Sequence, residues 1–188
     1  ILWRTVDEQA KEKLEAKNRI NSILPELQLL YSTTKTRPQV RVFEGMDGLV
    51  TALTEAFETK EKVNRVFTSG ENVMKLVPEY MQNWTLKRID LGIELRGIYV
   101  DNQASRALIK MSPTLFRVVY VSPDNYPSPV DMLIADNKIG YFTFKKDKVT
   151  TVIIEGEEIG LMMRNMFDLA FEEAKRKGGK LVEKMRKA

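Results

Sequence analysis

The feature that most constrains the fold is an alternation of short period-two apolar segments with amphipathic helical segments after Pro38. The alternation predicts strands at 40–43, 63–68, 94–100 and 115–121, with helices at about 46–59, 73–91 and 102–111 between them. Segments 130–135, 138–144 and 149–154 predict a three-stranded meander, and 157–177 a closing helix. This order predicts an α/β sandwich with a mixed sheet, in which the first four strands include parallel pairs.

The first 34 residues predict a separate element, a long helix with the apolar spacing of a coiled coil. The seam consists of Trp3, Val6, Ala10, Lys13, Lys17, Ile20, Leu24, Leu27 and Tyr31. Two copies of such a seam pack against each other, so we expect residues 1–34 to form a homodimer. The alternative is a helix that packs on its own domain.

Positive charge is concentrated at the C-terminus. The segment from Lys175 to Ala188 has seven basic residues and one acid, a formal charge of +6, which leaves −2 for the rest of the chain. Gly178 and Gly179 predict the end of the last helix. We therefore expect one folded domain over 35–178 and a basic tail over 179–188. Such a tail could bind nucleic acid, and a solvated helix end is the alternative.

The composition excludes several classes of chemistry. The chain has no cysteine and no histidine, which excludes disulfides, thiol catalysis, histidine-based triads and every metal site that uses these ligands. No glycine-rich nucleotide motif occurs. We therefore expect no enzyme activity, no cofactor and no metal.

The sequence also indicates where the protein resides. No apolar stretch approaches the roughly 20 residues that span a bilayer, and no signal-peptide pattern is present. We therefore expect a cytoplasmic protein without a membrane partner.

Polar residues follow two of the predicted strands. Ser69, Gly70, Glu71 and Asn72 leave one strand and open a helix, and Asp101 and Asn102 follow the next strand. Ligands of open α/β sheets bind beyond the carboxyl ends of strands, so these residues are candidates for a shared binding crevice. The alternative is a pair of capped turns without a ligand.

Five segments of the chain together resemble the effector domain of TrmB-like transcription regulators. They are Arg37–Leu49 (RPQVRVFEGMDGL), Pro78–Tyr80, Ile93–Ile98, Asp136–Ile139 and Met166–Phe171. The resemblance covers residues 30–177 and lies in the order and spacing of these segments.

The resemblance implies a regulator in which a winged helix-turn-helix binds DNA and a coiled-coil helix connects it to a phospholipase D-like sensor domain. Because the chain begins at Ile1 without a methionine, we expect it to be a fragment that lacks the winged helix-turn-helix. The effector implied by the resemblance is a sugar or a related metabolite.

Active phospholipase D enzymes carry a His-x-Lys-x4-Asp motif. With Asp136 at its last position, Pro129 stands for the histidine and Asp131 for the lysine. Without a histidine nucleophile we expect no phosphodiesterase chemistry and a crevice retained for binding. Asp131 and Asp136 are therefore further candidate ligand contacts.

The resulting hypothesis is an effector-sensing and dimerisation domain of a DNA-binding transcription regulator. The alternative is a ligand-free docking or assembly module with an inactive phospholipase D-like fold.

Overall fold

The computed structural model describes residues 37–124, 127–145 and 148–185, together with the single helical positions Lys13, Glu15, Lys17 and Ile23. The chain divides into two units, Ile1–Arg37 and Pro38–Ala188. Apart from those four positions, the predicted coiled coil and its dimer seam lie outside the described residues. The second unit carries the sheet.

The second unit is a mixed α/β fold, as the alternation predicts. Its strands are β1 (Gln39–Glu44), β2 (Val63–Thr68), β3 (Glu94–Val100), β4 (Phe116–Val121), β5 (Val130–Ala135), β6 (Lys138–Lys145), β7 (Lys148–Glu155) and β8 (Lys180–Lys184). Its helices are α1 (Met46–Glu55), α2 (Glu71–Leu76), α3 (Pro78–Asp90), α4 (Gln103–Lys110) and α5 (Glu157–Arg176), with a 3₁₀ turn at Ala56–Glu58.

One sheet contains all eight strands in the order β1-β7-β6-β5-β2-β3-β4-β8. The neighbours β2, β3 and β4 are parallel, and the other pairs are antiparallel. The predicted parallel pairs and the predicted meander β5-β6-β7 are therefore confirmed. Because β5 runs antiparallel to β2, the start of β5 lies beside the carboxyl end of β2.

Helices cover both faces of the sheet, and alternate strand residues face each layer. On one face, α1 to α4 form an apolar core with the strands, including Leu49, Trp84, Tyr99, Leu133 and Phe142. On the other face, α5 packs through Phe167, Phe171 and Ala174 against Ile98, Val119 and Ile139. No helix among the described residues is long and apolar enough to cross a membrane.

The single helix predicted over 73–91 is instead two helices. The break is at Val77, which has φ −142° and ψ 45° and lies between α2 and α3. A residue that precedes proline is driven out of the helical region, and Pro78 suits the first position of a new helix. The proline therefore starts α3 rather than lying inside a longer helix.

The segment predicted to be a basic tail over 179–188 also differs. Residues 180–184 form the edge strand β8, which pairs antiparallel with β4 and places Val182 opposite Val118. Val182 packs against the core under the helices α1 to α4. The lysines of this strand are exposed, as is common on a sheet edge, where charge discourages pairing with other chains.

Candidate functional site

The turn after β2 is built around Gly70. Its φ of +72° is a left-handed conformation that favours glycine. A Cβ at this position would lie 2.9 Å from Leu108 Cδ1 and 3.1 Å from the backbone N of Ser105. The start of α2 therefore packs directly against α4, and this close approach requires glycine.

Asn102 connects this turn to the end of β3. Its Oδ1 accepts from the Ser105 N–H (2.8 Å), and its Nδ2 donates to the Ser69 carbonyl (2.9 Å) and to Glu71 Oε1 (3.3 Å). The structure thus brings Ser69, Gly70, Glu71 and Asn102 together at the carboxyl ends of β2 and β3. These hydrogen bonds join groups of the protein to each other, so this junction holds two helix starts in place.

The other candidates near this junction lie at its edge. Asp101 forms a bidentate ion pair with Arg106 at 2.7 and 2.9 Å. The hydrogen bond from Arg106 holds the pKa of the Asp101 carboxyl below its usual value. Asn72 is half-buried in the first turn of α2.

Asp136 lies at the opposite end of the sheet. It follows the last residue of β5, whereas Asp131 is near the first, so about 17 Å of strand separates them. Asp136 accepts from the Thr59 hydroxyl (2.8 Å), the Lys60 N–H (2.5 Å) and the Glu61 N–H (3.2 Å). Its carboxylate therefore anchors the loop before β2 and does not share a crevice with the other candidates.

Asp131 is the candidate that faces a cavity. Only 5% of the residue is exposed. Its Oδ1 accepts from the Ser69 N–H at 3.2 Å, while Oδ2 is buried without a hydrogen-bond partner among the described residues. Such an orphaned carboxylate oxygen is costly to bury.

Burial raises the pKa of the Asp131 carboxyl to about 6. The nearby Thr68 hydroxyl and the Ser69 N–H act in the opposite direction because they favour the charged form, and the nearby Glu71 charge raises the pKa further. The carboxyl is therefore ionised at neutral pH at a substantial energetic cost.

The cavity lies between the sheet and the helices α1 to α4 and has a volume of about 60 Å³. That is room for about two water molecules. Its wall comprises Leu49, Leu53, Val66, Thr68, Val73, Met81, Trp84, Thr85, Leu95, Tyr99, Leu108, Ser112, Asp131, Met132, Leu133 and Phe142. Asp131 is the acidic residue of this mostly apolar wall.

Two glycines in the strands make room for the aromatic side chains of the wall. A Cβ at Gly97 would lie 2.8 Å from the Tyr99 ring, and one at Gly140 would lie 3.0 Å from Phe142 Cζ. Both rings therefore lie over glycine. Glycine inside a strand is a recognisable signal for such an approach, but sequence reasoning did not use it here.

Arg88, which was not predicted from the sequence, holds one part of the cavity wall in place. Its guanidinium is fully buried and donates to the carbonyls of Ile93 and Leu115 (the latter at 2.8 Å) and to Ser112 Oγ (2.9 Å). Burial lowers its pKa to about 10. Because Ser112 also lines the cavity, Arg88 fixes one side of the wall.

Within the described ranges, no group of three acids is placed to hold a metal ion. No protein-family model matches the sequence, and no curated protein matches it either.

Proposed function

We propose that this chain is the effector-sensing and dimerisation part of a transcription regulator, and that its effector binds in the cavity beside Asp131. The observation that carries the proposal is the unpaired Oδ2 of Asp131 at an apolar cavity. An apolar cavity with a few placed polar groups is the usual form of a small-molecule site. A ligand that donates to Oδ2 would remove the cost of the orphaned oxygen.

The regulatory part of the proposal rests on the resemblance to TrmB-like regulators. In that reading, the second unit is a phospholipase D-like sensor domain, a winged helix-turn-helix precedes the chain, and the N-terminal helix pairs two cytoplasmic copies. The mixed sheet and its two helical layers support the sensor domain. The effector would have to bind one arrangement of the dimer better than another to alter DNA binding.

The cavity wall favours a different ligand from the sugar that the resemblance implies. A sugar carries several hydroxyl groups, and each buried hydroxyl without a partner costs free energy. This wall offers polar side chains at only a few positions, among them Thr68, Thr85, Ser112 and Asp131. An apolar molecule with one polar group fits this wall better, and the sugar class becomes one arm of the test.

A thermal-shift screen against sugars, amines, alcohols, carboxylic acids and nucleotides tests the binding site. A ligand at 100 times its Kd adds about 2.7 kcal/mol of stability. Val73→Phe, which places a ring at the cavity wall, should abolish the shift, and Leu169→Phe on the exposed face of α5 should retain it. A thermal shift that persists in Val73→Phe would mean that the ligand binds elsewhere. If no compound of the screen changes the melting temperature, the proposed ligand site is refuted.

The DNA-binding role is tested separately with the full-length protein. Genomic fragments selected by that protein should be enriched in two-fold symmetric sites, because a symmetric dimer reads paired half-sites. The screen ligand should change the amount of DNA retained. Retention of no specific fragment would refute the regulator and leave the binding site standing.

One observation favours the docking or assembly alternative. Leu161, Met162, Met166 and Leu169 are exposed along α5 and form an apolar stripe on its outer surface. Sedimentation of the Met162→Glu, Leu169→Glu double variant tests whether this stripe joins two copies. If the double variant no longer self-associates but keeps the thermal shifts of the wild type with ligand, self-association and ligand binding occur on different faces of the protein.

A further inference from the structure

We propose that the cavity selects a small apolar amine, whose ammonium group binds Oδ2 of Asp131 while its hydrocarbon part fills the apolar wall. This inference rests on the proposed ligand site and adds the chemical class of the ligand.

The first argument is the geometry of the carboxylate. Oδ1 is held by the Ser69 N–H at 3.2 Å, so the carboxyl group has a fixed position at the end of β2. Oδ2 is buried and has no partner among the described residues. A ligand that fits here must therefore offer a hydrogen-bond donor.

The second argument is charge. Glu71 is the charged group that acts on Asp131, and it is an acid. The buried cation Arg88 donates instead to Ile93, Leu115 and Ser112. The potential at Oδ2 is thus negative, which repels an anionic ligand and favours a cationic donor over a neutral one.

The third argument is the aromatic wall. Trp84, Tyr99 and Phe142 line the cavity, and the Trp84 Nε1–H donates to the Leu53 carbonyl at 2.7 Å, which fixes the indole. The faces of aromatic rings attract ammonium groups, most strongly where water is excluded. A carboxylate together with aromatic rings is a donor set suited to an ammonium ion.

The fourth argument is size. The volume of about 60 Å³ admits about two or three non-hydrogen atoms, since a cavity of about 150 Å³ holds the six of benzene. Ethylamine has three such atoms and carries its charge at one end. Ethanol has the same number and is neutral, and acetate carries the opposite charge.

Calorimetric titration of these three probes tests the inference at about pH 7.5. We expect ethylammonium to bind about tenfold or more tightly than ethanol, because a charge-assisted hydrogen bond replaces a neutral one. Acetate should show no binding. Asp131→Asn should remove the preference for the ammonium ion, whereas Glu158→Gln, which alters an exposed acid in the first turn of α5 on the other face of the sheet, should leave it unchanged.

A second measurement needs no variant. The ionisable groups acting with Asp131 are Glu71 on α2 and Tyr99 on β3, and burial keeps the Tyr99 hydroxyl neutral by raising its pKa. The affinity for ethylammonium should therefore fall as the pH drops below about 6, where the Asp131 carboxyl takes up a proton, while that for ethanol stays constant.

The outcomes separate the two proposals. Equal or tighter binding of ethanol, or an ammonium affinity that Asp131→Asn leaves unchanged, overturns the amine and keeps the cavity as a ligand site. If none of the three probes binds, the proposal of an amine ligand is overturned. If the thermal-shift screen also finds no ligand, the proposal that the cavity is a ligand site is overturned too.

Discussion

The backbone N–H of Ser69 donates to Oδ1 of Asp131 at 3.2 Å, which fastens the turn after β2 to the start of β5, 62 residues further along the chain. One carboxylate oxygen thereby has a structural role, and the other has no hydrogen-bond partner among the described residues. The Asp131 side chain therefore has a role in stability and a proposed role in ligand binding, and the two roles respond differently to pH and to substitution.

We expect Asp131→Asn to stabilise the protein at neutral pH and to have little effect in acid. Burial raises the pKa of Asp131 from its ordinary value of 3.8 to about 6, so the folded state binds the proton more tightly than the unfolded state. The wild-type protein then loses stability as the pH rises from about 4 to 6, by about 3 kcal/mol in total. Asparagine has no charge to bury and escapes this loss.

Urea unfolding at about pH 4.5 and pH 7.5 measures the effect. The free energy of unfolding of Asp131→Asn minus that of the wild type should be larger at the higher pH. Asp136→Asn is the control: hydrogen bonds from Lys60, Thr59 and Glu61 and the Arg164 charge outweigh burial and hold its pKa below 3.8, so its titration lies in stronger acid. Its stability loss should be the same at both pH values, and a difference for Asp131→Asn that does not grow with pH would contradict the assignment.

Gly70→Ala should destabilise the protein more than Gly92→Ala. Both glycines have nearly the same positive φ, +72° and +71°, but a Cβ at Gly92 meets nothing within 4 Å, whereas one at Gly70 overlaps Leu108 and Ser105. Gly92→Ala carries only the left-handed backbone cost of about 1–2 kcal/mol. Gly70→Ala should add about 1–3 kcal/mol of steric strain.

The two free energies of unfolding, measured in urea, check this. Equal losses of unfolding free energy in the two variants would mean that α2 and α4 can move apart without cost, and would contradict the close packing at Gly70.

Arg88→Met should destabilise the protein strongly, by about 2–6 kcal/mol, because each of two buried carbonyls left without a donor costs about 1–3 kcal/mol. Methionine fills much of the volume but leaves the carbonyls of Ile93 and Leu115 without their buried donor. Arg106→Met, which removes an exposed ion pair with Asp101, is the matched control and should barely change the melting temperature. Similar melting temperatures for the two variants would show that Arg88 is not needed at that position.

Removal of residues 180–188 should lower the melting temperature by several degrees, because it removes β8 and exposes the edge of β4. Truncation after Lys184 retains the strand and should have little effect. A melting temperature that is unchanged by the longer truncation would mean that the segment behaves as a tail after all.

The strands and most helices follow from the sequence because period-two and helical periodicities are local signals. The break at Val77 was also encoded locally, in Pro78, but the apolar residues on either side suggested one helix. β8 was missed because lysines at a sheet edge have the same composition as a solvated tail. In both cases the sequence contained the correct local signal, but another feature of the same segment favoured a different structure.

The candidate site was only partly predictable. The junction of Ser69, Glu71 and Asn102 follows from the rule that loops meet at strand ends. Asp131 was selected by a motif alignment that also selected Asp136, and only the antiparallel pairing of β5 with β2 separates the two. The cavity and the buried Arg88 depend on how helices pack over the sheet, which no single segment of sequence specifies.

The occupancy of the cavity can be observed through methionine methyl groups in a ¹³C-methyl NMR titration with ethylammonium and ethanol. Met81 lines the cavity, whereas Met162 and Met166 are exposed on α5. We expect the Met81 methyl signal to shift saturably with at least one probe while the signals of Met162 and Met166 stay in place. A Met81 signal that does not move, or one that moves only together with those of Met162 and Met166, would contradict a ligand site beside Asp131.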